Sequence, residues 1–284
     1  MTKVITETAL LRSKLDSLRA EGKSLAFVPT MGALHDGHLS LVKLAKEHAD
    51  RVAVSIFVNP LQFGPNEDYR VYPRTPDKDC ELLESAGADL VFMPTAEAMY
   101  RSGWTITLNP GPVGSVYEGK VRPGHFQGVL TVVAKLFHIV EPDVAVFGEK
   151  DAQQLFLIRR MAADLNFRIK IIAGETQREA DGLARSSRNA FIKSDERVHA
   201  SILYRSLLAG QAALEDGVRE LSEIQKVMRE VLEEVPQFRA EYATAVQESS
   251  FSETDPVTDD VRLIIAGRLS TVRLIDNLHW TDKE

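Results

Sequence analysis

The sequence predicts an α/β protein in which a doubly wound parallel sheet is followed by a smaller α+β domain. Through about residue 175, short apolar and β-branched runs alternate with longer segments that have helical spacing. One run, residues 52–58, is almost continuously apolar, as expected for a strand buried on both faces of a parallel sheet. After about Asn189, helical segments come first and strand-like runs follow. We therefore expect a Rossmann-like domain over residues 1–176 and a smaller α+β C-terminal domain over residues 177–284.

In the first domain, predicted strands lead into predicted helices. The first strand is Leu25–Val28, and the apolar face of the helix after it consists of Leu39, Leu41, Val42, Leu44 and Ala45. A long apolar helix over residues 129–140 ends before Pro142, because the residue before a proline disfavours helical backbone. The remaining predicted strands are 52–58, 89–92, 144–147 and 169–172, and the remaining helices are 79–86 and 153–164. In such a sheet, ligands bind at the carboxyl ends of the strands.

The C-terminal part has a different pattern. Residues 195–215 and 221–234 are predicted to form amphipathic helices, and residues 240–246, 262–266 and 271–275 are predicted to form strands. The polar, acidic stretch 248–260 is predicted to be a surface loop or a hairpin connection.

Composition excludes several classes of protein. The 284 residues are 44% hydrophobic and 26% charged, which is typical of a globular chain. The net charge of −7 argues against a general nucleic-acid binder. No apolar run approaches the roughly 18 to 20 residues needed to span a bilayer, so no membrane partner is expected. The single cysteine, Cys80, fits a reducing compartment, and we expect a cytoplasmic protein.

The segment Pro29–His38, with the sequence PTMGALHDGH, is the strongest local feature. It follows the first predicted strand and opens a helix, where unpaired backbone N–H groups and the helix dipole attract an anion. Gly32 and Gly37 would allow phosphate oxygens to approach the backbone, and His35 and His38 add donors that can stabilise charge on a leaving group. The alternative is a pair of turn histidines with ordinary capping roles.

Two further segments offer groups that suit phosphate. Gly148–Asp151, with the sequence GEKD, again joins a strand to a helix; Lys150 can reach a phosphate, and Asp151 can accept hydrogen bonds from a ribose. Asp181–Asn189, with the sequence DGLARSSRN, combines two hydroxyls with an arginine and suits the β- and γ-phosphates of a nucleotide. Taken singly, the first could be a solvated helix cap and the second a polar surface loop.

Together these three segments resemble the H-x-G-H nucleotidyltransferase superfamily. Longer motifs resemble one family within it, the pantothenate synthetases (pantoate–β-alanine ligases). These motifs are VSIFVNPLQFG at 54–64, YPRT at 72–75, RPGHF at 122–126 and FGEKDAQQ at 147–154. The motifs that carry the resemblance lie between Pro29 and Asn189. The length of the chain and its two-domain layout also resemble those of the family.

The resemblance implies an ATP-dependent ligase that makes pantothenate for coenzyme A. The carboxylate of pantoate attacks the α-phosphate of ATP to give pantoyl adenylate and pyrophosphate, and the amine of β-alanine then displaces AMP. Mg²⁺ accompanies ATP. Family members are cytoplasmic homodimers, in which the first domain binds ATP and pantoate and the second closes over the site.

The resemblance also assigns residues. His38, as proton donor, His35, Lys150 and Arg188 take the catalytic roles. Pantoate and β-alanine would contact Gln62, Gln154, Met31 and Arg122, although a structural ion pair is an equal alternative for Arg122. Asp79 is the one candidate protein ligand for Mg²⁺, which would be held mainly by the phosphates. The ATP site would comprise Met31, Gly32, Ala33, Leu34, His35, Asp36, Gly37, His38, Gly148, Glu149, Lys150, Asp151, Gln177, Arg185, Ser186, Ser187 and Arg188.

Several positions depart from the family pattern. Arg185 replaces an apolar residue and adds charge beside the phosphate loop, and Gln177 stands where a small residue meets adenine through its backbone. Leu61 replaces a common methionine, a mild change in an apolar pocket. Lys78 interrupts the acidic cluster of Asp77 and Asp79.

Two other functions compete with the ligase. A nucleotidyltransferase acting on a phosphorylated acceptor would need a basic pocket, and no Arg/Lys cluster stands beside Gln62 or Gln154. An inert nucleotide-binding protein would not need His35, His38, Lys150 and the sequence Ser186-Ser187-Arg188.

Overall fold

The computed structural model describes residues 2–65 and 67–282. The chain divides into two compact units, of which the first comprises Met1–Glu149 and Gln154–Glu175 and the second comprises Lys150–Gln153 and Thr176–Glu284. Residues 150–153, which the sequence analysis included in the first domain, therefore group with the C-terminal part of the chain. Among the described residues, no helix combines the length and apolar character that crossing a bilayer requires.

The first unit contains a six-stranded sheet. Its strands are β1 (Lys3–Ile5), β2 (Leu25–Thr30), β3 (Arg51–Ile56), β4 (Leu90–Phe92), β5 (Val144–Gly148) and β6 (Lys170–Gly174). The order across the sheet is β1-β4-β3-β2-β5-β6, and every adjacent pair is parallel. From β2 the chain first builds toward β3 on one side and later toward β5 on the other. The strand order therefore reverses at β2, where a doubly wound sheet opens its ligand crevice.

Helices cover both faces of this sheet. They are α1 (Thr8–Ala20), α2 (Asp36–His48), α3 (Pro76–Ala86), α4 (Ala96–Met99), α5 (Glu118–Val121), α6 (His125–Val140) and α7 (Ala152–Asp164). Successive strand residues face opposite sides, so Phe27 packs in the cluster with α1, α6 and α7, whereas Ala26 and Val28 pack with α2 and α3. Burial on both faces explains the nearly continuous apolar strands and confirms the doubly wound parallel sheet.

The second unit packs two helices against an antiparallel sheet. The helices are α8 (Ile202–Glu215) and α9 (Leu221–Glu233), and the strands are β7 (Phe238–Gln247), β8 (Asp260–Leu269) and β9 (Val272–Thr281), in the order β7-β8-β9. Leu207, Met228, Leu263 and Ile265 belong to one buried cluster that joins the two layers. The smaller α+β domain is confirmed.

The element boundaries show where sequence periodicity is weak. No element is predicted before Leu25, yet β1 and α1 lie there; β1 is too short to give a periodic signal. The predicted helix 195–215 begins only at Ile202, after a 3₁₀ turn at Arg197–His199. Strand β9 runs to Thr281, beyond the predicted end at residue 275. The prediction ends too early because Asp276 and Asn277, which are buried, interrupt the apolar pattern of the strand.

A close contact between α6 and the turn after β3 fixes the position of that turn at the carboxyl end of β3. The turn Pro60–Gln62 packs on Gly128, where a Cβ would lie 2.6 Å from the Gln62 nitrogen and would overlap the Leu61 carbonyl. Asn59 Nδ2 also donates to the Gly128 carbonyl at 3.1 Å. Only glycine permits this approach, which holds Gln62 at the carboxyl end of β3.

Candidate active site

The sequence-predicted residues of the first unit collect at the carboxyl ends of three adjacent strands. Residues 31–38 follow β2, Gln62 follows β3, and Gly148 ends β5. Gln154, half-buried, lies in the first turn of α7, which also follows β5. This edge is the point where the strand order reverses, and it is the expected ligand-binding edge of the sheet.

His35 and His38 each direct one ring nitrogen at the main chain. His35 is the N-cap of α2, and its Nδ1 accepts from the Gly37 N–H at 3.2 Å. His38 Nδ1 accepts in turn from the His35 N–H at 3.4 Å, which completes a reciprocal capping arrangement. The two ring centroids are 4.1 Å apart. Because Nδ1 is the acceptor in both neutral rings, each carries its proton on Nε2.

This tautomer gives the pair a defined chemistry. The two neighbouring rings each carry an Nε2–H donor near the start of α2, where the helix dipole also favours negative charge. Such an arrangement can bind a phosphate and stabilise charge that develops on it. Capping uses Nδ1 of each ring, whereas binding an anion would use Nε2, so the two predicted roles do not exclude each other.

The turn before the histidines is held by a buried carboxylate. Asp79 is 1% exposed, and its two oxygens accept from the N–H groups of Ala33 and Leu34, each at 2.9 Å. Thr75 Oγ1 adds a third hydrogen bond at 3.2 Å. Gly32 and Ala33 both have left-handed backbone, with φ of +83° and +51°. A Cβ on Gly32 would lie 3.0 Å from Asp79 Oδ2, so the glycine makes room for this carboxylate.

The N–H groups of this turn have partners within the protein. Those of Ala33 and Leu34 donate to Asp79, and that of Gly32 donates to Thr30 Oγ1 at 3.3 Å. Approach of phosphate oxygens at Gly32 stays a prediction. Asp79 fits a magnesium site poorly, because it is buried and both oxygens already accept hydrogen bonds. Within residues 2–65 and 67–282, no group of three or more His, Cys, Asp or Glu side chains is arranged to hold a metal ion.

Gln62 is oriented by residues that the sequence analysis did not assign. Its Oε1 accepts from Asn59 Nδ2 at 3.1 Å, and Asn59 Oδ1 accepts from the Tyr100 hydroxyl at 2.7 Å. Burial raises the pKa of the Tyr100 phenol, so the hydroxyl keeps its proton and donates. With Oε1 used, Nε2 of Gln62 is the end that meets other groups, and it lies 3.1 Å from the Met31 sulfur. Asn59 stands in the motif VNPLQFG, but sequence alone does not show its partners.

Arg122 forms an ion pair with Glu67, one of the two roles expected for it. Its Nε and Nη2 bind the two oxygens of Glu67 at 2.9 and 2.7 Å. Burial raises the pKa of Glu67, but the hydrogen bonds and charge of Arg122 outweigh it and leave that pKa lowered. Arg122 Nη1 lies 3.1 Å from His125 Nε2, and His125 Nδ1 lies 2.9 Å from the Gln62 carbonyl. An arginine can only donate, so His125 accepts at Nε2 and donates from Nδ1 to Gln62.

The second unit holds the other predicted residues. Lys150, half-buried, and Asp151, exposed, lie in the 3₁₀ turn Glu149–Asp151, and Asn277 Nδ2 donates to the Lys150 carbonyl at 2.9 Å. Ser186 caps the 3₁₀ turn Ser187–Phe191 by accepting from the Arg188 N–H at 3.2 Å. The Arg185 N–H donates to the carbonyl of Gln177, whose side chain is exposed. The loop is therefore an ordered turn with its hydroxyl and guanidinium groups at the start of a 3₁₀ helix.

Comparison with known proteins gives matches over almost the whole chain. A family model described as pantoate-beta-alanine ligase matches residues 3–279. The pantothenate synthetase of a Thermoanaerobacter species is 48% identical over 270 residues, covering 95% of each chain; that of Thermobifida fusca is 46% identical over 288 residues, covering 99% of this chain and 96% of the relative.

Solved structures agree with these matches. The pantothenate synthetase of Thermus thermophilus has a TM-score of 0.92 and 45% identity, covering 98% of this chain and 99% of that one. The pantoate-beta-alanine ligase of Francisella tularensis, complexed with beta-gamma ATP and beta-alanine, has a TM-score of 0.81 and 35% identity over 98% of both chains.

Replacing Asp79 tests whether it anchors the turn or binds magnesium. We expect Asp79→Asn to lower the free energy of unfolding by about 1 to 3 kcal/mol, because an amide NH₂ would face a backbone N–H. Urea unfolding with Mg²⁺ and with EDTA, both without nucleotide, measures the change. The matched control is Asp77→Asn, an exposed acid two residues away. Magnesium-dependent stability in the wild-type protein that disappears in Asp79→Asn would contradict the anchoring role.

The buried His125 makes stability depend on pH. Burial first, and then the charge of Arg122, lower the pKa of His125 to about 4 from its usual 6.5. The stability contributed by the neutral ring is therefore complete above pH 6.5 and is lost as the pH falls toward 4, with a loss of about 2 kcal/mol at pH 5. Urea unfolding between pH 7.5 and pH 5 should show a smaller loss in His125→Asn than in the wild type. An unchanged pH dependence in His125→Asn, with exposed His279→Asn as control, would contradict this assignment.

Proposed function

Because the chain belongs to the pantoate-beta-alanine ligase family, we propose that it joins pantoate to β-alanine with cleavage of ATP to AMP and pyrophosphate, through a pantoyl-adenylate intermediate. The family match over residues 3–279 is the observation that carries this proposal. The complex of the Francisella tularensis relative with beta-gamma ATP and beta-alanine supports the two co-substrates. Family membership also favours the ligase over a transferase that acts on a phosphorylated acceptor.

The first step needs charge stabilisation more than a protein nucleophile. A carboxylate oxygen of pantoate bonds to the α-phosphorus, and the bond from that phosphorus to the bridging oxygen of pyrophosphate breaks. Negative charge accumulates on the leaving group as this bond lengthens. The Nε2–H groups of His35 and His38 are suited to donate to phosphate oxygens and to stabilise that charge. His38, the proton donor implied by the resemblance, needs only to hydrogen-bond in this scheme.

Pantoate recognition uses amides rather than charges. Gln62 presents Nε2, a donor, because Asn59 already occupies its Oε1. An uncharged donor can bind a hydroxyl or carboxylate oxygen of pantoate without competing for the triphosphate. Gln154 and Met31 are proposed to complete this part of the site. Since Arg122 is paired with Glu67, we propose that it stabilises the Gln62 segment through His125 rather than receiving β-alanine directly.

The second step is attack by the neutral amine of β-alanine on the acyl carbon of the adenylate. A C–N bond forms, the bond from the acyl carbon to the AMP oxygen breaks, and the proton of the amine passes to water. Closely held reactants account for most of the acceleration expected in such a step.

The nucleotide is proposed to be held by residues of two segments, Gly148–Asp151 and Asp181–Asn189. Lys150, Ser186, Ser187 and Arg188 would neutralise and orient the β- and γ-phosphates, with the charge of Arg185 nearby. The ribose and adenine would contact Gly148, Glu149, Asp151 and the main chain of Gln177. Asp36, the first residue of α2, is also proposed to belong to the ATP site. We propose that magnesium enters with the ATP phosphates. Cytoplasmic location and a homodimer stay predictions of the resemblance.

Pyrophosphate exchange tests the proposal directly. Purified protein with Mg²⁺, ATP and labelled pyrophosphate should incorporate label into ATP only when pantoate is added, without β-alanine. Adding β-alanine should then stop the accumulation of adenylate and release AMP and pantothenate. Absence of pantoate-dependent exchange by folded protein would contradict the adenylate mechanism.

Two substitutions of His38 separate its capping role from its role on phosphate. His38→Asn keeps an acceptor near the position of Nδ1 but removes the Nε2–H donor, and His38→Gln carries an N–H close to the position of Nε2. We expect His38→Asn to unfold near the wild-type temperature and to exchange pyrophosphate about 10² to 10³ times more slowly. His38→Gln should retain more exchange than His38→Asn. Near-normal exchange in His38→Asn would remove the proposed role.

A further inference from the structure

We propose that Asn277 is a positioning residue for Lys150, and that Asn277 and its neighbour Asp276 together hold the two phosphate-binding segments of the second unit. The inference rests on the proposed function, in which Lys150 and residues 185–188 bind the ATP phosphates. Neither Asn277 nor Asp276 belongs to the motifs that identify the site residues. Both lie on β9, far along the chain from Lys150.

Asn277 holds the main chain of Lys150 with a fixed orientation. Asn277 is 4% exposed, its Nδ2 donates to the Lys150 carbonyl at 2.9 Å, and its Oδ1 accepts from Arg262 Nη1 at 2.7 Å. Arginine has only donors and a carbonyl has only acceptors, so the amide cannot be turned around without breaking both hydrogen bonds. The orientation of Asn277 therefore fixes the peptide from which the Lys150 side chain extends.

Arg262 is itself immobilised. Its Nε and Nη2 bind the two oxygens of Glu248 at 2.7 and 3.0 Å, and the Arg262 side chain is 5% exposed. Asn277 pairs with Ile264 across β8 and β9, which puts Arg262 at a diagonal position on the same face of the sheet. A bidentate pair has a defined geometry as well as charge attraction, so Glu248 and Arg262 fix the acceptor end of Asn277.

The adjacent residue holds the other segment. Asp276 binds Arg178 through both oxygens, at 2.6 and 3.0 Å, and Arg178 also donates to the carbonyls of Gly182 and Asn277 at 3.0 and 3.2 Å. The Arg178 guanidinium lies 4.1 Å from the centre of the Tyr204 ring. These contacts fix the turn from Arg178 to Gly182.

The fixed turn leads directly into the phosphate loop. Arg178 and Ala184 form an antiparallel bridge, and the Arg185 N–H donates to the Gln177 carbonyl at 2.9 Å. Residues 185–188 therefore follow directly on an isolated bridge that includes Arg178 itself. Consecutive residues of one strand thus hold the lysine and the serine–arginine loop, which sets the spacing of the groups that receive the triphosphate.

The test replaces the amide of Asn277 with an isosteric carboxylate. Asn277→Asp keeps an acceptor for Arg262 but removes the donor to Lys150. Asn277→Ser is a smaller, neutral variant, which controls for a folding defect or an effect of the added charge in Asn277→Asp. The matched control is Ser206→Ala, which removes another buried hydrogen bond of the same unit, from Ser206 Oγ to the Met228 carbonyl at 2.8 Å. Loss of one such hydrogen bond corresponds to a change of up to about tenfold in affinity.

Two half-reactions distinguish positioning from a general loss of stability. We expect both Asn277 variants to raise KM for ATP about tenfold in pantoate-dependent pyrophosphate exchange. Aminolysis of preformed pantoyl adenylate by β-alanine, which does not use the β- and γ-phosphates, should stay within about twofold of wild type per folded molecule. Ser206→Ala should lower the unfolding temperature without changing KM for ATP.

Two outcomes would overturn the assignment at different levels. A KM for ATP within twofold of wild type in Asn277→Asp and Asn277→Ser, or equal losses in both half-reactions, would leave Asn277 a purely structural role. Failure of the wild-type enzyme to catalyse pantoate-dependent exchange would instead overturn the proposed function.

Discussion

A buried negative charge organises the loop on which the paired histidines depend. The Asp79 carboxylate lies out of water, where it would be strongly destabilising unless its oxygens accepted hydrogen bonds. The N–H groups of Ala33 and Leu34 satisfy it, so the turn cannot relax without leaving a buried charge unpaired. The left-handed conformations at Gly32 and Ala33 and the entry of the chain into α2 at His35 are compatible with this one anchor. Local strain at the turn is thus balanced by the hydrogen bonds of a residue 46 positions away.

The side chains proposed to act on the substrates share one feature, a polar atom that forms a defined hydrogen bond within the protein. Nδ1 of His35 and of His38 accepts from the main chain, which fixes the proton on Nε2. Oε1 of Gln62 accepts from Asn59, which turns Nε2 outward from that contact. Groups held in this way would lose little rotational freedom when a ligand binds, as the proposed roles of these side chains require.

Sequence predicted what depends on neighbours in the chain. The alternation of strands and helices, and the position of the histidines at a helix start, follow from local periodicity and capping. Pairings between distant residues had no such signal: Arg122 and Glu67 are 55 residues apart, and Asn277 and Lys150 are 127 apart. For Asp79, the family resemblance suggested a magnesium ligand, and sequence does not show whether a carboxylate faces a backbone amide or a cation. The ion pair of Arg122 likewise depends on the position of Glu67, which sequence does not give.

Residues 150–153 belong to the second unit although they lie between two segments of the first, so the two units cannot be separated by one cut in the chain. The chain passes from one unit to the other three times, after Glu149, after Gln153 and after Glu175. A gene cut at a single point therefore cannot encode two complete halves, and a fragment starting at Thr176 would contain Asn277 without the peptide that it holds. If a C-terminal portion beginning at Thr176 were exchanged between relatives, residues 150–153 would come from the recipient. Those four residues would then have to fit the new C-terminal portion, including Asn277. The two units are therefore not two separate, uninterrupted segments of the chain.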